Sequence, residues 1–320
     1  MFTIVYWDTC AYRAIISRKY ERPSHAKTIE NFATYIAKLE KSKGYQSLPC
    51  AIVLWELLSH LPAYNSLQID AVDKDKWESD FKSCFSAFKF IKHQMIENNK
   101  ALSIILPQAE LAEGIDYEFK GAAKKDILLM YKNIVENIRN FAENFDSITF
   151  DKKTWRSNSS LVDMASEMHH LKKEWTDYIL CSLSNIDKKD NDSEKSFINE
   201  IKEAYTSILY HCVNEKYIPR GKFLRNMHSV AFSFIERWAR NIYDNFYDVE
   251  DLAEWASSKK LSNNIIDALL LAYPTNIQET TKWIFVTLDK SIIDQNCALD
   301  KSNHKILGLD EYLQDIGFLT

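Results

Sequence analysis

A chain of 320 residues with 46% hydrophobic and 27% charged side chains has the balance of a folded globular protein, large enough for one big domain or two ordinary ones. Disordered and collagen-like classes are excluded. The formal charge of −5 argues for no particular partner, and six glycines with no G-x-G spacing argue against a Gly-rich phosphate loop.

Residues 2–7, Phe-Thr-Ile-Val-Tyr-Trp, form a nearly continuous β-rich run that predicts a strand buried on both faces, as in a parallel sheet. It stops at Asp8. Ala11, Ile15 and Ile16 begin helical spacing, and Ile29, Phe32, Ala33, Ile36 and Leu39 predict an amphipathic helix ended by Gly44. After the short stretch Tyr45 to Leu48, Pro49 suits the first turn of a helix striped by Val53, Leu54, Leu57, Leu58 and Leu61. From about 64 to 258 the period is helical almost throughout. Trp77, Phe81, Phe85, Phe88 and Ile91 form one stripe and Ile127, Tyr131, Ile134, Ile138, Phe141 and Phe145 another. Further helices are read at Leu161 to Leu183, Phe197 to Cys212 and Phe223 to Phe246. The tail returns to α/β, with a helix through Ile265, Leu269 and Leu270, strands at Trp283 to Thr287 and Ile306 to Leu309, and a last helix.

The order predicts one α/β domain in two pieces, 1–62 and 259–320, interrupted by an all-α insertion over 63–258. No apolar run approaches the ~20 residues of a bilayer span. The amino terminus lacks the features of a secretory signal, so the expected place is the cytoplasm, without membrane contact. Cys10, Cys50, Cys84, Cys181, Cys212 and Cys297 contain no C-x-x-C pair, which fits reduced thiols better than a zinc cage or disulfide framework.

Four acids stand out against this pattern. Asp8 follows the first strand and Asp289 the late one, and functional groups of doubly wound sheets collect at that carboxyl edge. Glu56 lies among hydrophobic neighbours in Val-Leu-Trp-Glu-Leu-Leu, and Asp267 interrupts Asn-Ile-Ile-Asp-Ala-Leu-Leu-Leu-Ala. Taken singly, Asp8 and Asp289 read equally well as helix N-caps, and Glu56 and Asp267 as residues at a helix margin. Taken together, carboxylates in apolar settings repel one another, and a hard divalent cation resolves the conflict.

The order strand-Asp-Thr, Pro-helix-Glu, helical Asp, strand-Thr-x-Asp resembles the PIN domain nuclease family, with Ile306-Leu-Gly-Leu-Asp-Glu-Tyr-Leu similar to its last strand and helix. Cys10 stands where the family often has Asn or Ser, and the long helical insertion is unusual. The resemblance implies a three-layer α/β/α fold with a central parallel sheet. It also implies a Mg²⁺- or Mn²⁺-dependent nuclease in which Asp8, Glu56, Asp267 and Asp289 are the catalytic and metal-binding set. Asp8, Asp267 and Asp289 would be ligands, and Glu56 would hold a water or act as general base. Thr9 and Thr287 offer supporting hydroxyls near the strand ends, with capping and strand propensity as their other reading. RNA is the favoured substrate by the same resemblance, DNA being open, and bacterial members are often toxins.

A phosphate surface is legible locally. Between 216 and 240 stand Lys216, Arg220, Lys222, Arg225, Arg237 and Arg240 against Glu236 alone, interleaved with Tyr217, Phe223, Phe232, Phe234 and Trp238. The cations suit phosphate contacts, and the aromatics suit either base stacking or a core. The insertion can equally bind a protein partner or a second copy. Three other readings remain. An inactive PIN-like scaffold would bind a partner through the helices. A metal-free HEPN-like ribonuclease would have to use Arg225-Asn-Met-His228 or Arg220, spacings too tight or too long for that motif. A di-iron bundle would need a second copy of Glu167-Met-His-His170, and none occurs.

Overall fold

The computed structural model describes residues 3–17, 19–59, 74–98, 170, 172–182, 193–212, 229–245, 260–272, 282–294 and 304–319. The amino-terminal part runs β1 (Thr3–Trp7), α1 (Thr9–Ile15), α2 (Ile29–Ser42), β2 (Tyr45–Ser47) and α3 (Ala51–Ser59). Then come α4 (Lys74–Asn98), α5 over 172–182, α6 (Ser193–Cys212), α7 (Ser229–Asn245) and α8 (Lys260–Ala272). The chain closes with β3 (Lys282–Thr287), α9 (Lys290–Ile293), β4 (His304–Gly308) and α10 (Leu309–Asp315). The fold is therefore mixed α/β, and every described residue between Lys74 and Asn245 is helical.

The four strands form one all-parallel sheet in the order β2-β1-β3-β4. β1 pairs with β3 in the register Thr3 to Lys282 through Trp7 to Val286, so the two ends of the chain meet at the centre of the sheet. Their apolar runs reflect burial on both faces: Val5, Tyr6 and Trp7 are buried in succession, as are Trp283 to Thr287. Strand order reverses between β1 and β3, and the crevice outside their carboxyl ends is where sheets of this class bind ligands.

Successive strand residues point to opposite faces, and their contacts show what covers each. Trp7 stacks on Tyr12 of α1 at 5.4 Å between ring centroids and meets Tyr312 of α10 edge-on at 5.3 Å. Phe90 of α4 packs against the same indole. On the other face, Tyr6 stacks on its β3 neighbour Phe285 at 4.7 Å, and its hydroxyl donates to the Leu270 carbonyl of α8. Burying aromatics of this kind stabilises the fold by roughly 1.5–3 kcal/mol each. Thus α4, which falls in the helical segment of the sequence, helps build the core of the α/β half, and α8 carries Asp267 over the opposite face.

Local signals explain most boundaries. Gly44, at φ +73°, ends α2 in a conformation that L side chains rarely adopt, and its carbonyl accepts from Thr3 to start the sheet. α3 begins two residues later than Pro49, because the Cys50 carbonyl accepts the first helical bond, from Leu54. α9 is a single turn, too short for hydrophobic periodicity to mark. The stripe from Ile127 to Phe145 lies outside the described residues.

Candidate active site

Each acid is positioned by an element end or a helix face. Asp8 leaves β1 as the N-cap of α1, and Asp289 leaves the β3 edge as the N-cap of α9, so the capping role read from the sequence coexists with a place in the cleft. Glu56 projects from α3 and Asp267 from α8. All four line one open cleft of about 520 Å³, together with Thr9, Cys10, Arg13, Trp238, Asn263, Asn264 and Leu288. Residues scattered over the two ends of the chain are thereby collected at the reversal point of the sheet.

Asp8 is the most closely held. Its Oδ1 accepts from the Thr9 backbone N–H at 2.6 Å, and its Oδ2 accepts from the Thr287 hydroxyl at 2.8 Å and the Cys10 thiol at 2.9 Å. Thr287 in turn accepts from the Asp289 N–H at 3.0 Å, which links the two strand-end acids through one hydroxyl. Asp289 Oδ1 accepts from both the backbone and the hydroxyl of Ser291 at 2.7 and 2.6 Å. Glu56 is buried, and its Oε2 accepts from the Thr9 hydroxyl at 2.6 Å.

The electrostatics follow from this crowding. Burial, and then the charge of Glu56, push the Asp8 carboxyl up to about 6 despite the hydrogen bonds that favour its charged form. Asp267 is raised well above the usual carboxylate range by burial of its carboxyl and by the negative charges of Asp8, Glu56 and Asp289, although its residue surface is only half-buried; Lys172 opposes the shift. The Cys10 thiol is also raised, by burial first and by Asp8 next, so it serves as a donor to the carboxylate and not as a thiolate.

The donor set is all carboxylate oxygen, the chemistry that suits Mg²⁺ or Mn²⁺, and a cation would relieve the repulsion that raises Asp8 and Asp267. Among the described residues no three His, Cys, Asp or Glu side chains stand as a ready-made cage for an ion. Mg²⁺ is commonly held by one or two carboxylates, several waters and substrate phosphates, so an open arrangement fits it.

Of the basic stripe, Lys216, Arg220, Lys222 and Arg225 lie outside the described residues. Arg237 and Arg240 are exposed on α7. Arg237 pairs with Asp294 at 3.1 Å, and Arg240 pairs with Glu194 at 3.0 Å and Glu236 at 3.2 Å. Between them, Trp238 turns toward the cleft. Arg225 to His228 and Glu167 to His169 also lie outside the described residues, while His170 is exposed and bonded to Glu174. Pattern and spacing alone do not mark Cys10 as a donor, Arg13, Asn263 and Asn264 on the rim, or Lys172. Only Cys10 carried a signal, as a small residue two positions after the first acid.

No protein-family model, curated protein or solved structure matches the chain. Among the described residues no helix is long and apolar enough to cross a membrane.

Proposed function

We propose that this chain is a metal-dependent phosphodiesterase of the PIN type, an endoribonuclease working with Mg²⁺ or Mn²⁺. The observation that carries the reading is the convergence of Asp8, Glu56, Asp267 and Asp289 on one cleft outside the ends of β1 and β3. Two of those acids have raised proton affinity, as groups gathered to bind a cation do before it arrives.

When bound, the cation supplies Lewis-acid polarisation of a phosphate oxygen and a lower pKa for water. Asp8, Asp267 and Asp289 would hold it. Asp8 is held by the Thr9 N–H, the Thr287 hydroxyl and the Cys10 thiol, so its carboxylate has little rotational freedom and keeps about one acceptor position, on Oδ1, for a cation. Glu56 takes the proton of the attacking water as general base, held in place by the Thr9 hydroxyl. The basic stripe read from the sequence would supply phosphate contacts; its described members Arg237 and Arg240 lie on α7, which also sends Trp238 to the cleft. A role as a toxin or defence effector follows from the same reading, and overexpression that left growth and cellular RNA intact would count against it.

A second reading, an inactive scaffold that binds a partner through the helices, is favoured by one observation: a lysine, Lys172, already faces Glu56. The deciding experiment incubates the purified chain with RNA and with single-stranded DNA in Mn²⁺ or Mg²⁺, beside Asp8→Asn and Asp289→Asn. Cleavage by the wild type alone is expected. Cleavage that survives both substitutions overturns the assignment, and an inert wild type favours the scaffold.

A further inference from the structure

Among the described residues, a cation of the helical segment reaches the acids. Lys172, on α5, places Nζ 3.8 Å from Glu56 Oε1 and donates to Asn263 Oδ1 at 3.3 Å. Only 14% of the Lys172 side chain and 12% of the Glu56 side chain are exposed, so water screens the pair weakly. The Arg240–Glu194 pair, by contrast, leaves more than half of each side chain in solvent, where such contacts contribute little.

The geometry at Glu56 is two-sided. Thr9, at the start of α1, holds Oε2 at 2.6 Å, and Lys172 faces Oε1 from α5. A carboxylate engaged at both oxygens by separate elements has little freedom about its last torsion, and displacements of about 1 Å in a reacting group can cost on the order of 100-fold in rate. The lysine charge also reaches Asp267, where it favours the ionised form.

We propose that Lys172 is a positioning residue of the acidic cleft: together with Thr9 it fixes Glu56, so the helical segment completes the site and is more than a docking surface. The proposal rests on the phosphodiesterase reading for its catalytic consequence, but the Lys172–Glu56 coupling can be measured without catalysis.

The test compares wild type, Lys172→Met, Lys172→Arg, Glu56→Gln and the Lys172→Met/Glu56→Gln double variant. Methionine keeps the length of the stem and removes the charge. In an RNA cleavage assay with Mn²⁺, Lys172→Met is expected to lower kcat by roughly 10–100-fold while KM for RNA stays within about threefold, and Lys172→Arg to recover most of kcat. In thermal unfolding, Lys172→Met is expected to lower Tm in the wild-type background and to cause no further fall beside Glu56→Gln. An active wild type whose Lys172→Met variant keeps its kcat, or loses rate through KM alone, overturns the proposal and leaves the phosphodiesterase reading intact; the second pattern would make Lys172 a phosphate contact. If the wild type is inert, the reading fails. The unfolding cycle then decides for Lys172: coupled changes uphold its hold on Glu56, and additive changes overturn it.

Discussion

Thr9 and Glu56, 47 residues apart, meet in a 2.6 Å hydrogen bond from hydroxyl to carboxylate that joins the first turn of α1 to the middle of α3. Thr9 thus touches two acids at once, since its backbone N–H donates to Asp8. Replacing Thr9 with Val keeps the shape and the backbone donor but removes the hydroxyl that donates to Glu56 Oε2. Chemical denaturation is expected to show a loss of about 1–3 kcal/mol, with Thr9→Ser close to wild type. Equal stability of Val and Ser variants would mean that this hydroxyl is energetically idle.

The sign of the Asp8 shift makes a statement about stability. A carboxyl that sits at about 6 when folded and near 3.8 when unfolded binds its proton more tightly in the native state. Its contribution is therefore present below pH 4 and is lost as pH rises through 6, a loss on the order of 3 kcal/mol. Without divalent cation, the Tm of the wild type relative to Asp8→Asn is expected to fall between pH 4 and pH 7. Saturating Mn²⁺ should restore the wild type at pH 7 and leave Asp8→Asn unmoved. Parallel pH profiles for the two proteins would contradict the shift.

On the proposed reading, a bound cation would have to displace the protons that burial and mutual repulsion favour on Asp8 and Asp267. Mn²⁺ affinity, followed by calorimetry in buffers of different ionisation enthalpy, is expected to weaken as pH falls through about 6, with proton release on binding. The Cys10 thiol lowers the Asp8 value by donating to Oδ2. Cys10→Ala should therefore move the pH dependence upward, whereas Cys10→Ser, which keeps a donor, should leave it near wild type.

A second buried carboxylate lies away from the cleft. Glu40 is fully buried, and its Oε1 accepts from Ser47 at 2.7 Å, Gln94 at 2.9 Å and Tyr312 at 2.7 Å, while the Ser47 hydroxyl also accepts from the Trp7 indole. One oxygen thereby ties α2 to β2, α4 and α10. Glu40→Ala, which strands these donors, is expected to cost about 3 kcal/mol or more in denaturant unfolding, and Glu40→Gln, which keeps an acceptor, much less. Cleavage by surviving folded protein should be little changed in either.

The parts of the fold readable in the sequence are those where burial leaves a periodic trace. Thr3 to Trp7 and Trp283 to Thr287 are apolar without alternation because both faces of β1 and β3 are covered, and Phe32, Ala33 and Ile36 repeat at helical spacing because α2 buries one stripe. The four acids were legible because each interrupts or closes such a run. Lys172 left no trace, since a lysine on a helix reads as a solvated charge until a distant chain segment approaches it. Arg237 and Arg240 stand out as a stripe, but spacing cannot reveal the acids that face them, Glu194 of α6 and Asp294 just after α9. Cys10 read as a missing polar group, because composition does not disclose that a thiol can stand in as donor to a neighbouring carboxylate.

The bond between Thr287 and Asp8 spans 279 residues of sequence. At translation rates of roughly 5–20 residues per second, Asp8 waits on the order of tens of seconds for its partner strand to leave the ribosome. Throughout that interval β1 lacks the neighbour that completes its burial, and Asp289 does not yet exist. Any chemistry that needs all the acids is withheld from the nascent polypeptide until β3 and Asp289 have emerged and paired with β1.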